Sequence, residues 1–445
     1  MKSRRKFIKK ISIGAAATIS APSILSSKNA HQTYLKSDKK VSWNDHIQIA
    51  VIGPGGMGMA DTTTALSVPG VKLVGACDLY EPRLNNVRKK WGEDLFFTRD
   101  YRELLAREDI DAVIIATPDF WHKELSVAAL RSGKAVYVEK PMVHHIDEGH
   151  AVINAQKETG KTLQVGSQGM SSLGNEKAKK LFEAGAIGTL NYAEGFWARN
   201  SPGGAWQYWV PKDCSPEEVM WEHWLSNTTK RDFDPLRFFR WRNYREYGTG
   251  VSGDLFVHLF SSLHYITSSK GPEKIMATGG LRHWKDGREV PDVLMGMFDY
   301  PQSQSHPAFN LSLRVNFVDG TSGSTFLRLV GSEGAMDVTW NDVYLKQNKS
   351  YPAFDDPLSK TEKYPFGKRK DIRPPEEIHY KAEEDYKGAH YDHFVNFFTG
   401  VRNGEMVNED AVFGYRAAAP AILCNDSYFD EKVIRWNPED MKLVK

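Results

Sequence analysis

The sequence predicts an α/β protein: a doubly wound parallel sheet, then a second α/β domain with a large open, mainly antiparallel sheet. Three observations carry this. Five short apolar runs alternate with amphipathic segments between Ile47 and Gly166. A glycine-rich turn follows the first of these runs directly. Beyond about residue 190 the texture changes to longer, half-exposed strands separated by Gly, Pro and Asp turns.

In order, the first five strands read Ile47–Gly53, Val71–Asp78, Ala112–Thr117, Ala135–Glu139 and Thr162–Gly166. Their continuous apolar character suits a parallel sheet covered on both faces. The segments between them, "PRLNNVRKKWG", "YRELLARE", "HKELSVAALRSG" and "DEGHAVINAQKETG", are amphipathic, and several end in the glycine that closes helices. This first domain spans residues 45–166.

Gly53-Pro54-Gly55-Gly56-Met57-Gly58 is G-x-G-x-x-G, set between a strand and a helix-like run. The first glycine permits a tight turn and the second lets a pyrophosphate approach the backbone. The third brings helix and strand together, with phosphates at the helix N-terminus. The next strand ends in Asp78, at the spacing of a ribose-binding acid. Such an acid accepts from both ribose hydroxyls and repels a 2′-phosphate, so the expected cofactor is NAD, with NADP less favoured. Arg83 lies close enough in sequence to soften that preference. Gly53, Gly55, Met57, Gly58, Asp78 and Arg83 are therefore candidate cofactor-binding residues.

The second domain is expected over 167–388. Its strands are "LNYAEGFW", "EKIMATGGLRHW", "DVLMGMFDY", "FNLSLRVNF" and "GSTFLRLVGSEGAMDVTW". Residues 350–385 are charged and Pro-rich and read as a surface excursion. Helices near 389–400 and 409–428, within a C-terminal region 389–445, are expected to pack back on the first domain.

Bulk properties narrow the partners. Of 58 Lys and Arg, seven lie in residues 1–30, which hold no Asp or Glu, leaving 51 against 56 acidic side chains. That mildly acidic body argues against nucleic acid as the main partner. The three cysteines, Cys77, Cys214 and Cys424, show neither metal spacing nor a disulfide framework and read as buried or half-buried thiols. His144 and His145 lack a third ligand, so no metal is expected.

The N-terminus reads Ser3-Arg4-Arg5-Lys6-Phe7-Ile8-Lys9, then a mild apolar segment to Leu25. It is too short and too weakly apolar for a membrane span, which needs roughly 20 apolar residues. It resembles a twin-arginine signal peptide over 1–30, which implies the twin-arginine export machinery as a partner and a periplasmic location. That route moves folded proteins, so a cofactor can be loaded beforehand.

Three further motifs carry a resemblance: "IIATPDFWH" (Ile114–His122), "VYVEKP" (Val136–Pro141) and "GTGVSGDLFVHLFSSLH" (Gly248–His264). With the glycine turn they resemble the Gfo/Idh/MocA oxidoreductases, the family of glucose–fructose oxidoreductase and inositol dehydrogenase, over Ile47 to Trp436. The resemblance implies an N-terminal Rossmann domain joined to a domain whose open sheet mediates homo-oligomers. Lys140, Asp254 and His258 match the family's active-site lysine, aspartate and histidine. Thr117, Pro118, His122, Glu139, Lys140 and Gln168 join the expected cofactor-binding residues. Phe256 stands where the family often has Gly, and Ser261 where an Asp commonly follows the histidine.

Chemistry read from the residues agrees. Oxidising a hydroxyl-bearing carbon needs a base for the proton and a donor for the forming carbonyl. Lys140 ends a parallel strand, where ligands bind in such sheets. Asp254 and His258 are four apart and share a face if helical. His258 is assigned as general base, with an imidazole near its ordinary value of about 6.5. Lys140 is the donor and Asp254 the orienting group. His122 either borders the nicotinamide or simply begins a helix. Six tryptophans, from Trp197 to Trp241, either flank a sugar pocket or form a core fastening a long loop. Trp197, Trp241, Arg242, Tyr244 and His258 are the candidate substrate-binding residues.

The function expected is an NAD-dependent oxidoreductase acting on a sugar, polyol or glycoside hydroxyl, with a tightly bound, recycled cofactor. The alternative is an NAD-dependent glycoside hydrolase that uses transient oxidation, elimination and re-reduction. A cofactor-bearing binding protein without turnover is disfavoured by the intact Lys140, Asp254 and His258.

Overall fold

The computed structural model describes residues 46–212, 214–320, 325–347 and 376–444. The expected signal peptide lies outside the described residues, as does most of the expected excursion at 350–385.

The N-terminal half is built from β1 (Ile47–Ile52), α1 (Gly56–Leu66), β2 (Val71–Cys77), α2 (Glu81–Trp91), β3 (Phe96–Thr98) and α3 (Tyr101–Leu105). These are followed by β4 (Ala112–Ile115), α4 (His122–Arg131), β5 (Ala135–Val138), α5 (Gly149–Thr159) and β6 (Leu163–Val165). The strands form one parallel sheet in the order β3-β2-β1-β4-β5-β6. Every residue of β4 and β5 is buried, as the continuous apolar runs require. The order reverses beside β1, and in such sheets ligands bind outside the carboxyl ends at that point. Strand β3 escaped the sequence reading because it is three residues long and sits at the sheet edge.

The remainder comprises α6 (Leu173–Glu183), β7 (Leu190–Ala198), α7 (Trp221–Leu225), α8 (Pro235–Phe239), a π-helical turn (Ser252–Phe256) and α9 (Val257–Thr267). Strands β8 (Lys274–Gly280), β9 (Val293–Tyr300), β10 (Phe309–Asn316), β11 (Thr325–Gly331), β12 (Gly334–Val338), β13 (Asp342–Gln347) and β14 (Glu376–Lys381) follow. The chain then adds α10 (Ala389–Asn403), α11 (Ala411–Phe429), β15 (Ile434–Asn437) and β16 (Lys442–Leu443). The sheet order is β14-β13-β12-β11-β7-β10-β9-β8-β15-β16, antiparallel except for the β7–β10 pair.

Along β10 the residues alternate: Phe309, Leu311, Leu313 and Val315 are buried, while their neighbours are exposed or half-exposed. The buried face packs on α9, with the Phe260 and Phe298 rings 4.9 Å apart. The opposite face is open and carries Met276, Met295 and Met297, the last 59% exposed.

The second sheet is larger than the sequence suggested. Residues 376–381 form β14 rather than part of an excursion, pairing with β13. Within the run 323–340, residues 325–338 form the β11–β12 hairpin. In the C-terminal region, α10 packs Phe394 on Tyr137 of β5, stacked at 4.3 Å. β15, by contrast, pairs with β8 in the large sheet, so this region is not helices alone. Cys77 and Cys424 are buried and Cys214 half-buried.

Candidate active site

The glycine turn has the geometry its spacing implies. Gly53 has φ +84°, and a Cβ there would overlap the Ala116 carbonyl. A Cβ on Gly58 would overlap the Gly53 carbonyl, so this glycine sets the helix–strand approach and does not face the cleft. Gly56 has open space around it, and Gly55 places no capping side chain over the first turn of α1. The uncovered amides there suit a pyrophosphate.

Asp78 is buried at the end of β2. Its Oδ1 accepts a hydrogen bond from Tyr80 N at 2.9 Å. Its Oδ2 is buried without a hydrogen bond, 3.5 Å from Arg83. Burial pushes this carboxyl up, and Arg83 opposes the shift. A ribose hydroxyl would satisfy the open oxygen, so the residues present fit a bound NAD.

The segment after β7 crosses this end of the cleft as a strap. Met220 N donates to Leu79 O at 2.9 Å, and Tyr80 and Val219 form an antiparallel bridge. Arg99 donates to both Leu79 O (2.7 Å) and Glu218 O (2.8 Å). Phe238 and Phe239 meet the Tyr80 ring edge-on, and the Arg83 guanidinium lies over Phe238 at 5.2 Å. Trp221 and Trp224 stack at 4.9 Å within the strap's own core.

The reacting end lies between β5 and the π turn. Lys140 Nζ donates to Asp254 Oδ1 at 2.7 Å and to Asp254 O at 3.1 Å. Arg242 Nε donates to the same Oδ1 at 3.2 Å. Burial pushes the Asp254 carboxyl up, but Lys140 and Arg242 outweigh it and hold the group well below the usual carboxylate range. The π turn, a feature frequent at functional sites, carries Asp254 into α9, and both Asp254 and His258 line the cleft.

His258 stacks on Trp197 at 5.2 Å and meets Trp340 at 6.1 Å, and its Nδ1 is buried without a partner. Burial, then the Lys140 charge, pushes the imidazole down to about 3. The ordinary imidazole expected from the sequence is therefore not what this aromatic slot provides. Glu139 is pushed up to about 8 by burial and then by Asp61, and accepts from Gln168 Nε2 at 2.8 Å.

One cavity of about 930 Å³ joins the strap end to the reacting end. It is lined by Gly53, Gly55, Met57, Asp78, Arg83, Thr117, Pro118, His122, Glu139, Lys140 and Gln168, and by Trp197, Trp241, Arg242, Asp254 and His258. Among the expected site residues, Gly58 and Tyr244 do not line it. Tyr244 instead packs under Arg237, 4.2 Å from its ring centroid. His122 both begins α4 and lines the cavity, so its two readings are compatible. The tryptophans divide in the same way: Trp197, Trp206, Trp224 and Trp241 line the cavity, Trp221 is core, and Trp209 is 72% exposed. Sequence reasoning missed Arg99, Arg199, Met220, Glu222 and Trp340 as lining residues. None carried a motif: they reach the cavity from loops and from α7 through tertiary placement.

These features define a class: a dinucleotide-binding α/β protein whose lysine, aspartate and histidine face a cleft at the carboxyl ends of a parallel sheet. Residues 47–167 match the Gfo/Idh/MocA oxidoreductase family, with its NAD-binding Rossmann fold. The chain is 35% identical over 156 residues to scyllo-inositol 2-dehydrogenase (NAD(+)) of Bacillus subtilis, covering 34% of this chain and 44% of that one. The chain thus spans less than half the length of that relative. It is 22% identical over 414 residues to a glycosyl hydrolase family 109 protein of Shewanella baltica, covering 87% and 83% of the two chains. A levoglucosan dehydrogenase solved with NADH and levoglucosan has the same fold, with a TM-score of 0.65, 18% identity, and 88% and 99% coverage.

Proposed function

We propose that the whole chain is an NAD-dependent oxidoreductase of Gfo/Idh/MocA type, acting on a hydroxyl-bearing carbon of a sugar, polyol or glycoside. The observation that carries this is the convergence of Lys140, Asp254 and His258 on one end of the cavity, walled by Trp197 and Trp241. Flat aromatic faces beside charged donors suit a sugar ring. Bound NAD supplies the hydride acceptor. Lys140 Nζ donates to the reacting oxygen, and Asp254 with Arg242 fixes where that ammonium sits. His258 is the group at this end positioned to accept the hydroxyl proton, against the burial and the Lys140 charge that hold its imidazole down to about 3 in the free protein.

The strap supports a cofactor held from one turnover to the next. The Met220–Leu79 and Arg99–Glu218 contacts hold the strap beside Asp78, where it would slow departure of the adenosine end, and tight complexes differ from weak ones chiefly in dissociation. The twin-arginine-like leader supports export of the folded, loaded protein to the periplasm, where such retention matters. The open face with Met276, Met295 and Met297 supports homo-oligomers through the large sheet.

The glycosyl hydrolase relative, alignable over most of both chains, favours one further reading. In it the same site oxidises a glycoside transiently, eliminates the leaving group and returns the hydride. One experiment tests both readings. The protein is purified without added nucleotide, its bound nucleotide is extracted, and sugars and glycosides are supplied while absorbance at 340 nm and free sugar are followed. Reduced nicotinamide supports the oxidoreductase, whereas sugar release without net reduction supports the hydrolase. Neither signal from an NAD-loaded protein across the panel overturns both.

A further inference from the structure

Lys140 and Asp254 are 114 residues apart, yet Nζ and Oδ1 meet at 2.7 Å. One turn touches the segments that carry both. It comprises Asp119–Trp121 after β4 and the first residue of α4, His122.

On one side, Asp119 is buried and its Oδ2 accepts from Thr249 N at 2.9 Å and from Thr249 Oγ1 at 2.7 Å. Thr249 lies just ahead of the π turn. Its side chain crosses Gly253 so closely that a Cβ on Gly253 would overlap it. Gly253 immediately precedes Asp254. On the other side, His122 is buried with its ring nitrogens 2.7 Å from Pro141 O and 2.9 Å from Thr117 O. Pro141 immediately follows Lys140.

We propose that Asp119 and His122 are positioning residues: through Thr249 and Pro141, a single turn sets the register between Asp254 and Lys140. This rests on the reading of that pair as the reacting-oxygen site. Neither residue is needed as a proton carrier. Asp119 is engaged by Thr249, and the His122 ring is spanned by two carbonyls. The arrangement explains why the π turn tolerates only glycine at 253, since the threonine must lie across it to reach Asp119.

The test uses the NAD-loaded full chain with Thr249→Val, Thr249→Ser, Asp119→Ala, Asp119→Asn and the Asp119→Ala/Thr249→Val pair. For each, nucleotide content, melting temperature, kcat and KM are measured, together with the acetylation rate of Lys140 read by mass spectrometry. Small misplacements of reacting groups cost on the order of 10²-fold. Thr249→Val and Asp119→Ala should lower kcat by about 10- to 100-fold with KM and nucleotide content nearly unchanged. Thr249→Ser, which keeps the hydroxyl, should restore kcat. The pair should be no worse than either single variant, because both remove one interaction. Lys140 should acetylate several-fold faster wherever kcat falls.

Folded variants with parental kcat, or with a lowered kcat and unchanged Lys140 reactivity, overturn the proposal. So does failure of Thr249→Ser to rescue. If Asp119→Ala does not fold, Asp119→Asn and Thr249→Val still decide the matter. The labelling readout needs no substrate. A parent chain that turns over nothing therefore sinks the functional reading while the alignment is still judged on Lys140.

Discussion

Lys140 Nζ and Asp254 Oδ1 lie 2.7 Å apart, with both side chains about nine-tenths buried, so the end of β5 is tied by charge to the π turn. Breaking a buried pair by removing one partner leaves the other uncompensated. Lys140→Met should therefore lose 10²–10⁴ in kcat, the range of a positioned proton-transfer group, while retaining bound nucleotide. Single-turnover absorbance at 340 nm on NAD-loaded protein checks this, and a folded variant turning over at the parent rate removes Lys140 from the site.

His258 supplies a prediction about pH. Because burial holds its imidazole down to about 3, the ring is neutral from pH 5 to 8 in the free enzyme. The acid side of the kcat/KM profile should then show no limb near 6.5. A limb there that disappears in His258→Gln would show that the aromatic slot is wetter than its packing implies.

Asp78 is expected to set nucleotide choice. Hydrogen bonds to a charged acceptor are worth about 1.5–3 kcal/mol, so Asp78→Ala should weaken NAD by roughly 10- to 100-fold. NADP should weaken less, because a repulsive charge leaves together with the acceptor. Titration of nucleotide-stripped protein with both cofactors decides it, and equal losses count against the assignment.

Two buried carboxyls link stability to pH. Burial pushes Glu139 and Glu409 up to about 8 from an ordinary 4.5. Each is more protonated in the folded state, so the stabilising protonation is complete below 4.5 and is lost as pH rises through 8. Buried His258, His144 and His264 are pushed down to about 3 and oppose this on the acid side, where unfolding takes up protons below 6.5. Because the two windows overlap between pH 4.5 and 6.5, stability should be highest within or close to that range. Glu409→Gln should remove about 1.4 kcal/mol per pH unit of slope between pH 4.5 and 8, measured as urea midpoints across that range. An unchanged slope would mean that Glu409 ionises freely in the fold.

The parallel sheet and the nucleotide turn were legible because their determinants are local: apolar runs of strand length, three glycines, and an acid at the end of the next strand. Lys140 and the Asp254–His258 pair were legible through short motifs. Arg99, Met220 and Trp340 were not, since each joins the cavity through contacts that depend on tertiary placement. Strands β13 to β16 were missed for a related reason. They are short, polar on one face, and defined by their partners rather than by their own pattern. The depressed His258 imidazole followed only from knowing that Trp197 and Trp340 enclose it.

The strap has a consequence for how the protein is made. Arg99 and Glu218 are 119 residues apart, and domains fold N-terminal first during synthesis. The ribosome therefore delivers the cradle before the segment that covers it. A nucleotide arriving in that interval would meet the cradle before residues 218–220 are tied across Leu79 and Tyr80.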